Sequence, residues 1–240
     1  MDMRQLQTVR TGQEVAAYLR ERIACGEWGV GYRLPAQRQL AIELGVGRQA
    51  VREGIAHLEA EGYLVTRRGA RGGSFVVEPS TSVSVWRELL RENLPDMEEL
   101  IDFRSAIEQH ICSLAALRRS DSDLQVMRTA IAALPDAALI SDGFSYGAFR
   151  EADGQFHAAV SAAASNERLT EASRRARAEL FLPTDNLPYE QRVEVTRQQH
   201  TAIYQAIVAG DAVAAASAAR AHMDETLRNL HAIIGEASES

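Results

Sequence analysis

The sequence predicts a mainly α-helical chain in two parts: three helices closed by a β-hairpin, then an all-α antiparallel bundle of six or seven helices. Three observations lead there. Apolar residues recur at the 3.6-residue spacing of a half-buried helix through most of the 240 residues. The period drops to two only between Tyr63 and Val77, around a glycine-rich stretch. Beyond Pro79 no run with strand character follows.

The first helix is expected from Thr11 to Cys25, where Val15, Ala16, Leu19, Ile23 and Ala24 share a face and Gly26 provides a stop. A loop follows through Gly29, Gly31 and Pro35. A short second helix, Ala36 to Leu44, places Leu40, Ala41 and Leu44 together and ends at Gly45. The third begins at Arg48, with Val51, Ile55 and Leu58 on one side and Arg48, Gln49 and Arg52 on the other. Two helices joined by so tight a turn make a helix-turn-helix. Tyr63-Leu64-Val65-Thr66 and Ser74-Phe75-Val76-Val77 then read as strands of a hairpin whose tip is Arg67-Arg68-Gly69-Ala70-Arg71-Gly72-Gly73. Such a hairpin is a wing, so the first part is a winged helix-turn-helix.

Ser80 to Ser84 reads as a linker, giving an N-terminal domain over 1–78, a linker over 79–84 and a helical domain over 85–240. Helical segments are expected at Val85–Asn93, Asp96–Leu117, Asp121–Leu134, Phe144–Ala164, Glu167–Leu182, Tyr189–Ala209 and Ala212–Ile234. The two cysteines, Cys25 and Cys112, fall inside apolar helical patterns with no metal or redox spacing, and read as reduced core residues. No segment approaches the ~20 apolar residues of a membrane span and the start carries no signal-peptide pattern, so a cytoplasmic protein without a membrane partner is expected.

Net charge is −7, which on average disfavours a polyanionic partner. The charge is partitioned, however. Up to Glu78 eleven Arg face nine acidic residues, whereas the remainder holds fifteen Arg against twenty-four acidic residues. There is no Lys, so every cationic contact comes from Arg, which forks onto phosphate and onto guanine edges. A helix fits the DNA major groove, and Arg48, Gln49 and Arg52 occupy the first turns of the third helix. Arg38 is placed for backbone phosphate, Arg68 and Arg71 for the adjacent minor groove, and Gly72 for close backbone approach.

The stretch from Val15 to Val77, and especially Tyr32-Arg33-Leu34-Pro35, Leu40-Ala41, Leu44-Gly45-Val46-Gly47-Arg48, Val51-Arg52-Glu53 and Leu58-Glu59-Ala60-Glu61-Gly62, resembles the winged-helix domain of the GntR family. That resemblance implies a transcriptional regulator binding double-stranded DNA. Two departures stand out: Gly47 replaces the family's usual Ser at the cap of the recognition helix, and Gln37 replaces the usual acidic residue before Arg38. Gly is a weaker cap by only a few tenths of a kcal/mol, so the fold is expected to tolerate it.

In the helical part, Asp153 and His157 are four residues apart and share a helix face. His200, near Ile203 and Ile207, and His222, near Ala218, Ala219 and Met223, occupy core-like positions on two later helices. Three helices therefore aim imidazoles and a carboxylate inward, as cofactor sites in bundles are built. His57, His110 and His231 do not share this placement and are left out of the site.

Asp102-Phe103-Arg104 with Ile107-Glu108, Asp153 with Phe156-His157, His200 with Ala206-Ile207 and Gly210-Asp211, and His222 resemble the FCD effector domain of the FadR subfamily. In metal-binding members of that group one Asp and three His hold a divalent ion, which implies Asp153, His157, His200 and His222 as ligands here. Acyl-CoA-binding members lack this set, which disfavours acyl-CoA as effector. The resemblance also places an effector carboxylate on Arg104, a pairing that suits a guanidinium. The ligand types admit Zn, Ni, Fe or Mn without choosing among them; Zn is placed first.

These features imply a homodimeric regulator, expected to be a repressor, that reads an inverted-repeat operator and responds to a small organic acid at a metal site. A catalytic metal centre is the competing class. It lacks a second carboxylate placed as general base and leaves the winged helix unexplained, so no enzyme is expected. A purely structural ion stiffening the bundle is a third reading.

Overall fold

The computed structural model describes residues 3–69, 72–77, 91–136, 143–179 and 189–235. The chain divides into two compact units, Met1–Thr81 and Ser82–Ser240.

In the first unit, α1 (Met3–Ala24), α2 (Gln37–Glu43) and α3 (Arg48–Ala60) precede strands β1 (Leu64–Arg67) and β2 (Gly73–Val76). The core forms because Val15, Leu19 and Ile23 of α1 meet Leu40 of α2, Val51, Ile55 and Leu58 of α3, and Leu64 and Val76 of the hairpin. α1 and α3 pack closely at Gly54, whose missing side chain makes room for Val15. The turn between α2 and α3 is tight: Gly45 has φ of 64°, and the Val46 amide returns to the Ala41 carbonyl at 3.0 Å. Gly47 is the N-cap of α3 and offers no side-chain hydrogen bond, so the first amides of that helix keep unused donors.

Three expectations for this unit need correction. The first helix begins at Met3 rather than Thr11, eight residues before its apolar pattern becomes legible. Both strands are displaced by one residue, pairing Leu64 with Val76 and Arg67 with Gly73 in antiparallel register. The loop read through Gly29, Gly31 and Pro35 lies along β2, with Arg33 bridging Phe75 and the Leu34 amide donating to the Ser74 carbonyl at 2.9 Å.

The second unit comprises, among the described residues, α4 (Leu94–Arg118), α5 (Asp121–Ala132), α6 (Gly143–Ala163), α7 (Glu167–Glu179), α8 (Tyr189–Ala209) and α9 (Ala212–Gly235). α4 is central. It packs against α6, α7, α8 and α9, and accordingly buries Ile101, Arg104, Ile107, Glu108, Ile111, Cys112, Ala115 and Ala116. Pro95 occupies its first turn, where a missing N–H costs nothing, so the helix starts two residues before the expected Asp96. A reciprocal Ser120–Asp123 capping box starts α5, and the Asp211 carboxylate accepts the Val213 and Ala214 amides at the start of α9. The bundle core joins Ile107, Ile111, Met127, Phe156, Val160, Ile203 and Ile207. Cys25 and Cys112 are buried and unbridged, and burial pushes the Cys112 thiol above its usual range.

Residues 85–90 of the helix expected over 85–93 lie outside the described residues, as do the end of the segment expected to reach Leu182, the linker over 79–84 and Arg71.

Candidate metal centre and nucleic-acid interface

α6 presents Asp153 and His157 one turn apart, α8 presents His200 and α9 presents His222. All three histidines are buried, and their ligand atoms lie within 4.8 Å of one another. The imidazole centroids form a nearly equilateral triangle, with sides of 5.2, 5.3 and 5.4 Å. Asp153 joins through one oxygen. Its Oδ1 stands 3.7 Å from His157 Nε2 and 3.5 Å from His200 Nε2. Its Oδ2 instead accepts a hydrogen bond from Arg177 Nη2 of α7 at 2.9 Å.

The surroundings set ring orientation and charge. His200 is fully buried and stacks on Phe156 at 4.0 Å between centroids. The His222 Nδ1 meets Gln199 Oε1 at 2.7 Å, which leaves Nε2 as the nitrogen for a ligand on that ring. Glu108 of α4 lies behind His157, with Oε2 3.6 Å from Nδ1, while its Oε1 accepts a 2.7 Å hydrogen bond from Ser173 Oγ of α7.

Burial holds the His200 imidazole well below its ordinary pKa and lowers His222 to about 3, the neighbouring imidazoles adding to both effects. For Asp153 burial works the other way, but the Arg177 guanidinium, and the imidazoles whenever they are protonated, overcome it and hold the carboxyl far below its usual range. Glu108 behaves alike: the hydrogen bond and charge of His157, then Arg104 and Arg177, outweigh burial and keep it ionised. His200 and His222 are thus neutral beside an anionic Asp153, the protonation states that a metal requires of its ligands.

These residues fit a divalent ion. Both ring nitrogens of His200 are buried without a hydrogen-bond partner among the described residues, an expense that ligation of one of them would relieve. Bonds of about 2.0–2.1 Å place ligand atoms roughly 3–4 Å apart, so only modest closing of the cluster is needed. Arg104, buried one turn before Glu108, acts electrostatically on both Glu108 and His222 and so belongs to the same polar centre.

The structure brings Asp153, His157, His200 and His222 together. His57, His110 and His231 are exposed. Glu108 enters the sequence analysis only within the Ile107-Glu108 pair of the FCD resemblance, with no role at the site, and Ser173, Arg177 and Gln199 do not enter it. A carboxylate among Ile101, Ile107 and Ile111 on α4 was the available signal for Glu108; Arg177 lies in an arginine-rich run that reads as a solvated face.

In the first unit, Arg38 on α2 and Arg48, Gln49 and Arg52 on α3 are exposed, as is Arg68 beside the hairpin. The Gln49 amide donates to Glu53 Oε1 at 2.7 Å, a bond it must exchange to touch a base. Gly72 has a reason of its own: a Cβ there would stand 2.3 Å from the Arg67 carbonyl oxygen, so the hairpin itself demands glycine. Arg20 and Glu61 pair at 2.6 Å, tying α1 to the end of α3 away from the arginine face.

A hairpin-braced helix-turn-helix, followed in the same chain by a helical bundle with an ionisable centre, defines a DNA-binding regulator of transcription. The chain belongs to the GntR family of bacterial regulatory proteins: residues 11–76 match the gntR family model and residues 99–225 match the FCD domain. It is 31% identical over 237 residues to an Escherichia coli protein named for regulating the L-lactate dehydrogenase operon, covering 89% of this chain and 84% of that one. It is 34% identical over 170 residues to the Escherichia coli Uxu operon transcriptional regulator, covering 68% of this chain and 62% of that protein. Among solved structures, Escherichia coli McbR/YncC shares the fold with a TM-score of 0.55 at 18% identity, over 92% of this chain and 97% of that one. The matched domains and relatives are those of transcriptional regulators, not enzymes. No helix among the described residues is long and apolar enough to cross a membrane.

Proposed function

We propose that this chain is a metabolite-responsive repressor whose operator affinity is set by a small organic acid bound at a divalent ion in the helical domain. Asp153, His157, His200 and His222 hold the ion, which is Zn, Ni, Fe or Mn, and Arg104 grips the carboxylate of the effector. The observation that carries this reading is His200: a fully buried imidazole with no hydrogen bond to either nitrogen among the described residues, facing two further imidazoles and, at 3.5 Å from Nε2, an ionised Asp153. The ion supplies a Lewis-acidic attachment point for carboxylate or hydroxyl oxygens. A relative named for the L-lactate dehydrogenase operon agrees with a hydroxy acid within that effector class.

The head (1–78), the linker (79–84) and the effector domain (85–240) act together as a cytoplasmic homodimer. One recognition helix reads too few base pairs alone, so two heads address the half-sites of an inverted repeat. Arg48, Gln49 and Arg52 reach bases, Arg38 reaches phosphate, and Arg68, Arg71 and Gly72 carry the wing to the minor groove. The effector regulates because it binds one dimer geometry more tightly than the other; equal affinity would shift nothing.

The test combines elemental analysis of purified protein with DNA binding. About one divalent ion per chain is expected, with operator affinity falling when hydroxy acids, sugar acids or short dicarboxylates are titrated in. An unchanged affinity across that panel, with metal present, refutes the sensing model. Loss of fold on metal removal without any change in effector response favours a structural ion instead.

A further inference from the structure

Glu108 is costly where it stands. Its side chain is 5% exposed, and a buried carboxylate is retained only where specific partners offset lost hydration. Those partners are arranged asymmetrically. Oε1 is anchored by Ser173 Oγ at 2.7 Å, and Oε2 is left to face Nδ1 of His157 at 3.6 Å. The opposite edge of the same ring, Nε2, points to Asp153 Oδ1, the oxygen that His200 Nε2 also approaches. His157 is therefore held between two carboxylates, one on the side of the candidate ion and one behind it.

Resting on the metal-site reading above, we infer that Glu108 is a positioning residue: it accepts the Nδ1–H of His157 and so presents the Nε2 lone pair to the ion. Closing 3.6 Å to hydrogen-bond distance needs only a few tenths of an ångström of ring tilt. A histidine ligand commonly donates its second N–H to a carboxylate or carbonyl, which fixes the tautomer and raises ligand basicity. His222 has the neutral counterpart of this arrangement in Gln199. Among the described residues the His200 Nδ1 has no such hydrogen bond, so of the three rings only His157 is backed there by an anion. Glu108 touches neither the expected ion nor the effector; it acts through His157. Because it also answers the charges of Arg104 and Arg177, a plain counter-ion role is the alternative to be separated.

The experiment compares full-length wild type, Glu108→Gln, His157→Gln and the double variant, loaded with Zn²⁺ or Co²⁺ against a chromophoric chelator. Glu108→Gln retains shape and the Ser173 bond but replaces the charged acceptor. Its metal affinity is expected to fall about 10- to 100-fold, with a changed Co²⁺ visible spectrum. In the His157→Gln background the same substitution is expected to change affinity less than twofold, since the ring it orients is gone. A counter-ion acting only on the fold predicts equal losses in both backgrounds and an unaltered spectrum, and that result overturns the inference. Ser173→Ala provides a second route should Glu108→Gln fail to fold: releasing the Oε1 anchor is expected to weaken metal binding at least threefold, and wild-type affinity there also overturns it. Wild-type protein that takes up no stoichiometric ion refutes the metal-site reading itself, and this inference with it; wild-type loading with an unaffected Glu108→Gln variant refutes the inference alone.

Discussion

His200 lies face to face with Phe156, ring centroids 4.0 Å apart and planes 16° from parallel. Phe156 is fully buried and directly precedes His157 on α6, so one helix supplies two candidate ligands and also the flat surface that sets the plane of a third. An aromatic pair adds about 0.5–1.5 kcal/mol beyond its buried area, enough to restrict a ring with no hydrogen bond of its own.

Phe156→Leu conserves apolar character but removes that surface. Stability is expected to fall by about 1–3 kcal/mol, from lost area and an imperfectly filled site. Metal affinity is expected to fall as well, because His200 can then rotate. Chemical denaturation of chelator-treated protein reads the first effect and chelator competition the second. Undiminished metal affinity in a destabilised variant would show that the stack does not orient His200.

Apo-protein stability is expected to decline as pH falls below the ordinary histidine range. His200 and His222 have lowered pKa values in the fold, the latter about 3 from an ordinary 6.5, so between those limits the unfolded chain binds protons the native state refuses. Stability therefore rises with pH across that window, at roughly 1 kcal/mol per pH unit for each such histidine. The lowered Asp153 and Glu108 carboxyls act in the same direction at lower pH, since their contribution is present above the ordinary carboxylate range and lost toward their folded values. Melting curves in chelator from pH 7.5 to 5 check this. A flat melting temperature over that interval contradicts neutral burial of the two rings.

How far this protein was legible from sequence depended on whether a feature leaves a periodic trace. Val15, Leu19 and Ile23, or Val51, Ile55 and Leu58, disclose helices because one buried face repeats every 3.6 residues. The start of α1 at Met3 and the pairing of Arg33 with Phe75 leave no such trace: the first has no matching apolar pattern, and the second is a backbone contact made by a loop. At the candidate site, His200 and His222 could be found because a titratable residue interrupts an apolar stripe. Arg177 could not, because only the packing of α7 beside α6 turns it onto Asp153 Oδ2.

Two glycines of the head should respond oppositely to a side chain. At Gly54 an added Cβ would stand 2.6 Å from Val15 Cγ1 and 3.0 Å from the Ala16 backbone nitrogen. Gly54→Ala gains up to about 1 kcal/mol of helix propensity but forces α1 and α3 apart, an overpacking cost of about 1–3 kcal/mol, so net destabilisation is expected. Among the described residues nothing lies within 4 Å of a Cβ at Gly47, and its φ of −68° suits any residue. Gly47→Ser is expected to stabilise α3 by a few tenths of a kcal/mol through the missing cap bond. Thermal and urea denaturation decide both, and a Gly54→Ala protein as stable as wild type would mean the helix crossing has slack that the packing does not reveal.

The arginines of the head should separate by what they touch. Arg48 and Arg52 stand exposed in the first turns of α3, where major-groove docking brings side chains to base edges. Replacing either by Ala is expected to cost about 1–3 kcal/mol on the operator and to flatten preference at one position of each half-site. Arg68, exposed beside the hairpin, is expected to act mainly through phosphate, so Arg68→Ala should weaken operator and random duplex alike and reduce the slope of log affinity against log salt by about one per chain. Arg38 on α2 should follow Arg68 rather than Arg48. Fluorescence anisotropy on operator and scrambled duplexes at several salt concentrations measures both quantities together. Equal losses on both duplexes for all four substitutions would leave α3 as a general electrostatic contact and remove its assignment as the reading helix.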